Sequence, residues 1–174
     1  LEHQSHGAER TMKPQLGDTI LNRYTLVSSL REEPGIQAWK ANDRVLAKDC
    51  QLFIITDRSA FAAIDKLAGR IAATRPDRVI PILKYRMESD VLLIVMPVDS
   101  GQCLTDYMVD TAKPLSYSAI RSIIGECADV LREVIADTPS GIVITTDTVR
   151  VTTSGVQIAD APCATMLADT SATD

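Results

Sequence analysis

The chain switches between two hydrophobic periods, and the order of the switches leaves few folds open. Arg23–Leu30 alternates apolar and polar residues and is rich in β-formers, which predicts a strand. Arg31-Glu32-Glu33-Pro34-Gly35 then predicts a turn, Ile36–Ala41 a second strand ended by Asn42-Asp43, and Cys50–Ile55 a third. From Ser59 to about Ala73 the period changes to that of a helix. Phe61, Ile64, Leu67, Ala68 and Ile71 share one face, Ser59 is placed to cap the start, and Pro76 limits the end. Two further strands, Val79–Tyr85 and Val91–Val98, flank a turn at Glu88-Ser89-Asp90. Pro81 puts the first of them at an edge or a strand start. The order β-β-β-α-β-β describes an α+β layer of antiparallel strands with one helix.

The second half is built differently. Leu104–Val109 fits a short helix, and Lys113-Pro114-Leu115-Ser116 opens a longer one. Ile120, Ile123, Ile124, Cys127, Leu131, Val134 and Ile135 form its apolar stripe, through about Ala136. Thr138-Pro139-Ser140-Gly141 stops it. Three short β pieces follow, Ile142–Thr145, Val149–Thr152 and Val156–Ala159, the last two joined at Ser154-Gly155. Polar composition marks 1–18 and 163–174 as flexible ends around two folded parts, 19–98 and 99–162. The first residue is Leu1 rather than Met, which suggests a fragment or a processed chain.

Several chemistries are excluded by composition. Both histidines, His3 and His6, lie in the polar lead, so a Ser-His-Asp or Cys-His pair has no base in the folded body. His3-x-x-His6 fits a solvated tail better than a chelate. Cys50, Cys103, Cys127 and Cys163 are scattered and make no zinc motif. They fit small apolar thiols in a reducing compartment. A net charge of −5 and 4% aromatics argue against nucleic-acid partners. No apolar run approaches the 18 or so residues of a spanning helix. A cytoplasmic location is expected, as a free domain or as the cytoplasmic part of a membrane protein.

Individual segments carry a family likeness. Asn22-Arg23-Tyr24-Thr25-Leu26-Val27 with Leu30 resembles the first strand of bacterial Ser/Thr protein kinases, and Ala38–Leu46 their second strand and turn. Leu93-Ile94-Val95-Met96-Pro97-Val98-Asp99-Ser100-Gly101 resembles the fifth strand and hinge. Pro114-Leu115-Ser116 with Ala119–Leu131 resembles helix E, and Gly155–Asp160 the strand entering the DFG turn. The likeness covers about residues 20–162. It implies a kinase-like fold: a five-stranded antiparallel N-lobe sheet with helix C, then a shortened C-lobe of helix E and a small β-hairpin. The family's activation segment and large helical subdomain have no counterpart in the 174 residues.

In that register the chemical stations are degraded. Phosphoryl transfer needs a backbone cradle, a lysine, metal-binding oxygens and a residue that orients the nucleophile. The glycine-rich turn reads Arg31–Ile36, with two carboxylates facing the phosphate place and a proline that has no N–H. Arg31 offsets part of that repulsion. Cys50-Gln51-Leu52-Phe53 stands for V-A-I-K, so Phe53 replaces the lysine, and Ile64, with Asp65 one step on, replaces its glutamate partner. Lys48 and Lys66 are candidate substitutes from elsewhere in the chain. Val143 and Thr148 take the places of the base aspartate and the asparagine, with Asp147 close by in a gapped match. Asp160 survives in Asp160-Ala161-Pro162, as a turn former or a weak metal candidate.

The resemblance therefore implies a pseudokinase that is not an enzyme and takes no cofactor: a regulatory scaffold for protein partners. It is most similar to the degenerate kinase domain attached to actinobacterial MviN/MurJ-type lipid II flippases. That likeness implies a role in peptidoglycan synthesis and a phosphothreonine-reading partner. Two alternatives stand beside it. One is an atypical nucleotide-binding kinase, with adenine on the backbone of Met96, Pro97, Val98 and Asp99 and a metal ion on Asp160. The other is an unrelated α+β interaction domain. The favoured reading expects Phe53 and Ala38 to fill the nucleotide place and Trp39 to lie near the cleft. It also expects helix 116–136 to expose an apolar face suited to a partner or a second copy.

Overall fold

A computed structural model describes residues 13–88, 90–98, 101–110, 114–137, 142–164 and 166. Its main sheet has six strands, Thr19–Ile20 (β1), Tyr24–Glu33 (β2), Ile36–Asp43 (β3), Lys48–Ile55 (β4), Lys84–Glu88 (β5) and Val91–Pro97 (β6). They lie in the order β1-β2-β3-β4-β6-β5, all antiparallel. The expected five strands are present, and the two-residue β1 adds a sixth, too short to leave a periodic signal. Strict alternation gives the sheet two apolar faces. Ile36, Ala38, Phe53, Ile55, Leu92, Ile94 and Met96 share one cluster with the helix Phe61–Thr74 (α1). Tyr24, Leu26, Trp39, Ala41, Cys50, Leu52, Ile54, Leu93 and Val95 form a second cluster on the opposite face. Trp39 therefore points away from Phe53, and the expectation that it lies near the cleft fails by one step of the strand period.

Local chemistry fixes the boundaries. β2 runs on to Glu33 because Glu33 pairs with Ile36 across a two-residue turn, Pro34-Gly35. Gly35 has φ +79°, and a Cβ there would lie 2.6 Å from Asp57 Cβ, so glycine is required. β3 continues through Asn42-Asp43 because Asp43 is fixed: Arg23 Nε and Nη2 donate to its two oxygens at 2.8 and 2.7 Å. The Val45 and Leu46 N–H groups donate to the same carboxylate. That environment, led by Arg23, lowers the Asp43 carboxyl to about 2. Before α1, Asp57 rather than Ser59 is the cap: its Oδ1 accepts from Ser59 N–H at 3.0 Å and starts a 3-10 turn, Arg58–Ala60. Arg75, left-handed at φ 46°, and Pro76 end α1.

One expected strand starts late and another does not form. Val79–Tyr85 is a strand only from Lys84. Val79 instead makes a single parallel bridge to Ile158, and Ile80 N–H donates to the Ile158 carbonyl at 2.9 Å. Pro76 and Pro81 remove ladder donors there, so the apolar residues are buried as a connection. Ile142–Thr145 is irregular. The helices of the second half form as expected, Leu104–Asp110 (α2) and Tyr117–Asp137 (α3). Ser116 Oγ accepts from Ala119 N–H at 3.1 Å at the α3 start. The stop expected at 138–141 lies outside the described residues. Gln102–Cys103 (β7), Val149–Thr152 (β8) and Gly155–Ile158 (β9) make a small second sheet. Its hairpin turn is Thr153-Ser154, because Thr152 pairs with Gly155. Cys163 and Ala164 are buried, so the core extends past the expected limit at 162. Lys13–Asp18 likewise packs on the fold, Gly17 N–H donating to the Leu26 carbonyl at 2.9 Å.

Candidate functional site

The kinase register places a cleft between the main sheet and the β8–β9 hairpin. Phe53 lies there, paired across the strands with Ala38 and Ile94, and is 1% exposed. Ile64 of α1 is buried in the same cluster. That cluster continues without a break through Ile80 and Ile82 to Val130 of α3, Val149, Val156, Ile158 and Ala161. Phe53 and Ala38, which the resemblance puts at the nucleotide place, are both buried in this apolar cluster. Lys48 and Lys66 are exposed and do not replace the lysine. Asp65, one step from Ile64, is only partly buried.

The phosphate turn is a tight hairpin end rather than a cradle. Pro34 offers no N–H, the Gly35 carbonyl accepts from Thr56 and Asp57, and Arg31 is turned to Glu33 at 3.1 Å. Of the hinge residues, Met96 is buried in the cluster, Pro97 pairs with Cys50, Val98 is exposed, and Asp99 lies outside the described residues.

Val143 and Thr148 come together in the loop before β8, in a closed turn. Thr145 N–H donates to Thr148 Oγ1 at 2.9 Å. That hydroxyl in turn faces the Thr145 and Val143 carbonyls at 3.2 and 3.3 Å. Asp147, the gapped candidate, accepts from the Thr105 hydroxyl at 2.7 Å. Asp160 follows β9 in a left-handed conformation, φ 57°, a region Asp tolerates better than most residues. Arg150 Nη2 stands 3.7 Å from its Oδ2, with both side chains mostly buried.

Arg150 is the site residue that sequence reasoning missed. Val149-Arg150-Val151 reads as an ordinary half-exposed strand, and only the fold turns Arg150 toward Asp160. Its Nη1 donates to the Asp147 carbonyl at 2.6 Å. A Cβ on Gly101, just after the hinge, would lie 2.8 Å from Arg150 Cβ. Burial pushes the Cys163 thiol well up and the Cys50 thiol up to about 11, which disfavours the reactive thiolate at these two positions. A cavity of about 920 Å³ lies at the outer end of the β2–β3 hairpin, by Pro34, Ile54, Thr56, Arg58 and Val91. Its wall includes Glu32, Glu33, Gly35 and Ile36, so it borders the turn that stands for the phosphate loop, while Ile54 belongs to the sheet face opposite Phe53.

Comparison with known proteins supports the architecture. No protein-family model and no curated protein matches the chain. Solved structures do. The PknI kinase domain of Mycobacterium tuberculosis superposes with a TM-score of 0.70 at 16% identity, over 87% of this chain and 63% of that one. The apo form of PpkA-294 gives 0.71 at 11% identity, over 86% and 62%. Rad53 1–466 in complex with AMP-PNP gives 0.67 at 17% identity, over 80% and 38%. The fold is protein-kinase-like, α+β with an antiparallel N-lobe sheet, and the chain spans less than two thirds of each of these kinase structures.

That fold class implies a divalent metal with nucleotide, and the residues present do not fit the pair. Phe53 offers no charge to phosphate, the Thr148 hydroxyl is spent on its own turn, and Arg150 brings a cation to Asp160. Among the described residues no three His, Cys, Asp or Glu side chains are grouped to hold a metal. Among them, too, no helix is long and apolar enough to cross a membrane.

Proposed function

We propose that the chain is a catalytically silent, kinase-shaped regulatory domain that acts by binding protein partners. One observation carries this reading: Phe53 stands in the lysine place at 1% exposure, inside an apolar cluster that runs from the sheet to the β8–β9 hairpin. Transfer of a phosphoryl group is almost wholly positioning and charge stabilisation, and an apolar plug supplies neither. The exposed side of α3 supports the binding role. Tyr117, Ile120 and Ile124, spaced three and four residues apart, are 81, 42 and 63% exposed. That face is our candidate for a protein partner or a second copy of the chain. The likeness to the flippase-attached domain points the reading toward control of peptidoglycan synthesis through a phosphothreonine-reading partner.

ATP titration with and without magnesium tests the silence, followed by thermal unfolding and by transfer of labelled phosphate. The reading expects no shift in melting temperature at millimolar nucleotide and no transfer. A saturable, magnesium-dependent shift with phosphate transfer would refute it and favour the nucleotide-binding alternative.

A further inference from the structure

Asp160 poses a problem that its neighbours answer. Its side chain is 17% exposed and Arg150 is 14% exposed, so both charges are largely out of water. A carboxylate so placed is costly unless a cation stands beside it. In a metal site that cation has several oxygen ligands at about 2.0–2.6 Å. Here two oxygens of the turn before β8 are engaged. The Thr148 hydroxyl serves its own turn, and the Asp147 carboxylate takes the Thr105 hydroxyl. Arg150, in contrast, is held from two sides: the Asp147 carbonyl accepts from Nη1, and Gly101 lies against its Cβ. The bond from Nη1 anchors the planar fork of donors on the Asp147 carbonyl and leaves Nη2 on the side of Asp160.

We infer that Arg150 is a built-in cation that takes the place of a divalent metal ion beside Asp160 and closes the site with the chain's own side chain. The inference rests on the reading of this site as catalytically silent and gives that silence a second cause beside Phe53. It also explains why the aspartate is retained where the other chemical stations are not: Asp160 is the counter-ion of Arg150.

The test compares wild type, Arg150→Ala, Asp160→Asn and the double variant in thermal unfolding, each with chelator and with about 10 mM Mn²⁺ as the probe. Wild type is expected to show no saturable response to Mn²⁺. Arg150→Ala is expected to melt lower, and Mn²⁺ to raise its midpoint by about 2 °C or more. The response is expected to vanish in the double variant, which has no carboxylate to neutralise. Asp160→Asn is also expected to relieve most of the loss caused by Arg150→Ala. Should Arg150→Ala not fold, Arg150→Gln, which keeps the stem and a donor, is measured in its place. Saturable Mn²⁺ binding by wild type would overturn the inference. So would an Arg150 variant that responds no more than its Asp160→Asn partner, or effects of the two substitutions that simply add. Phosphate transfer by wild type would refute the silent reading itself, whereas Mn²⁺ binding without transfer removes only the built-in cation.

Discussion

Phe53→Lys restores the residue that the kinase register asks for, and its cost measures how closed the site is. At 1% exposure among Ala38, Ile64 and Ile94, the new ammonium has water on no side and Ile64 where a glutamate partner belongs. Full burial lowers a lysine pKa by up to several units from about 10.4. A fall of about 3 units corresponds to roughly 4 kcal/mol of lost stability at pH 7, at 1.36 kcal/mol per unit. The sign follows from linkage. The folded pKa lies below the unfolded one, so the penalty is complete below about pH 7.4 and disappears above about pH 10.4. Urea unfolding followed by Trp39 fluorescence at about pH 7, 8.5 and 9.5 should therefore show the gap to wild type closing as pH rises, by roughly 3 kcal/mol. Phe53→Leu is the control. It leaves a cavity and no charge, and it should cost about 1–3 kcal/mol equally at each pH. A Phe53→Lys protein within about 1 kcal/mol of wild type, with no pH dependence, would show a hydrated cleft and refute the argument.

Three further expectations follow from the geometry. The Asp43 carboxyl falls from 3.8 to about 2, and with Arg23 partly exposed to solvent this is worth about 1–2 kcal/mol of stability at neutral pH. That stability is fully present above about pH 4 and is lost as pH falls through about 2, so Asp43→Asn should flatten the acid limb of a pH–stability profile. An unchanged acid limb would exclude the ion pair. Gly35→Ala forces a Cβ into the left-handed region and toward Asp57, and should lower the urea midpoint by about 1–3 kcal/mol equivalent with an unchanged slope. Ile124→Glu should change stability by less than about 0.5 kcal/mol and abolish self-association or partner binding in light scattering. A loss above about 2 kcal/mol would show that Ile124 belongs to the core.

The legible part of the fold was the part with long, regular periods. β3, β4, β6, α1 and α3 each carry their own alternation or stripe, whose order points to an α+β antiparallel layer, and the family resemblance of the segments implies the kinase-like arrangement. What escaped is short or depends on contacts distant in sequence. β1 and β7 have two residues each. Val79–Leu83 looks like a strand because its apolar residues are buried, but they are buried against Ile158 and not in a ladder. Trp39 went to the wrong face because a single register step decides it. The same limit applies at the site. Phe53 and Ile64 are visible as substitutions within a recognisable pattern. Arg150 is not, because its meaning comes from Asp160, ten residues on and across a hairpin.

These replacements are physically coupled. A lysine and its glutamate across a cleft form an ion pair that is favourable only while both members are present. Exchanging both for Phe53 and Ile64 removes two desolvation costs and adds apolar area to a cluster that already joins sheet and hairpin. Retaining Asp160 then requires a cation, and Arg150 supplies it from within the same hairpin. The proposed outcome is one apolar cluster joining sheet and hairpin where a working kinase keeps a gap around which its lobes move. On the proposed reading, closure on a nucleotide has no room to occur. A silent domain of the kind proposed would signal through its surface, and the exposed apolar residues of α3, Tyr117, Ile120 and Ile124, are the proposed partner face of that surface.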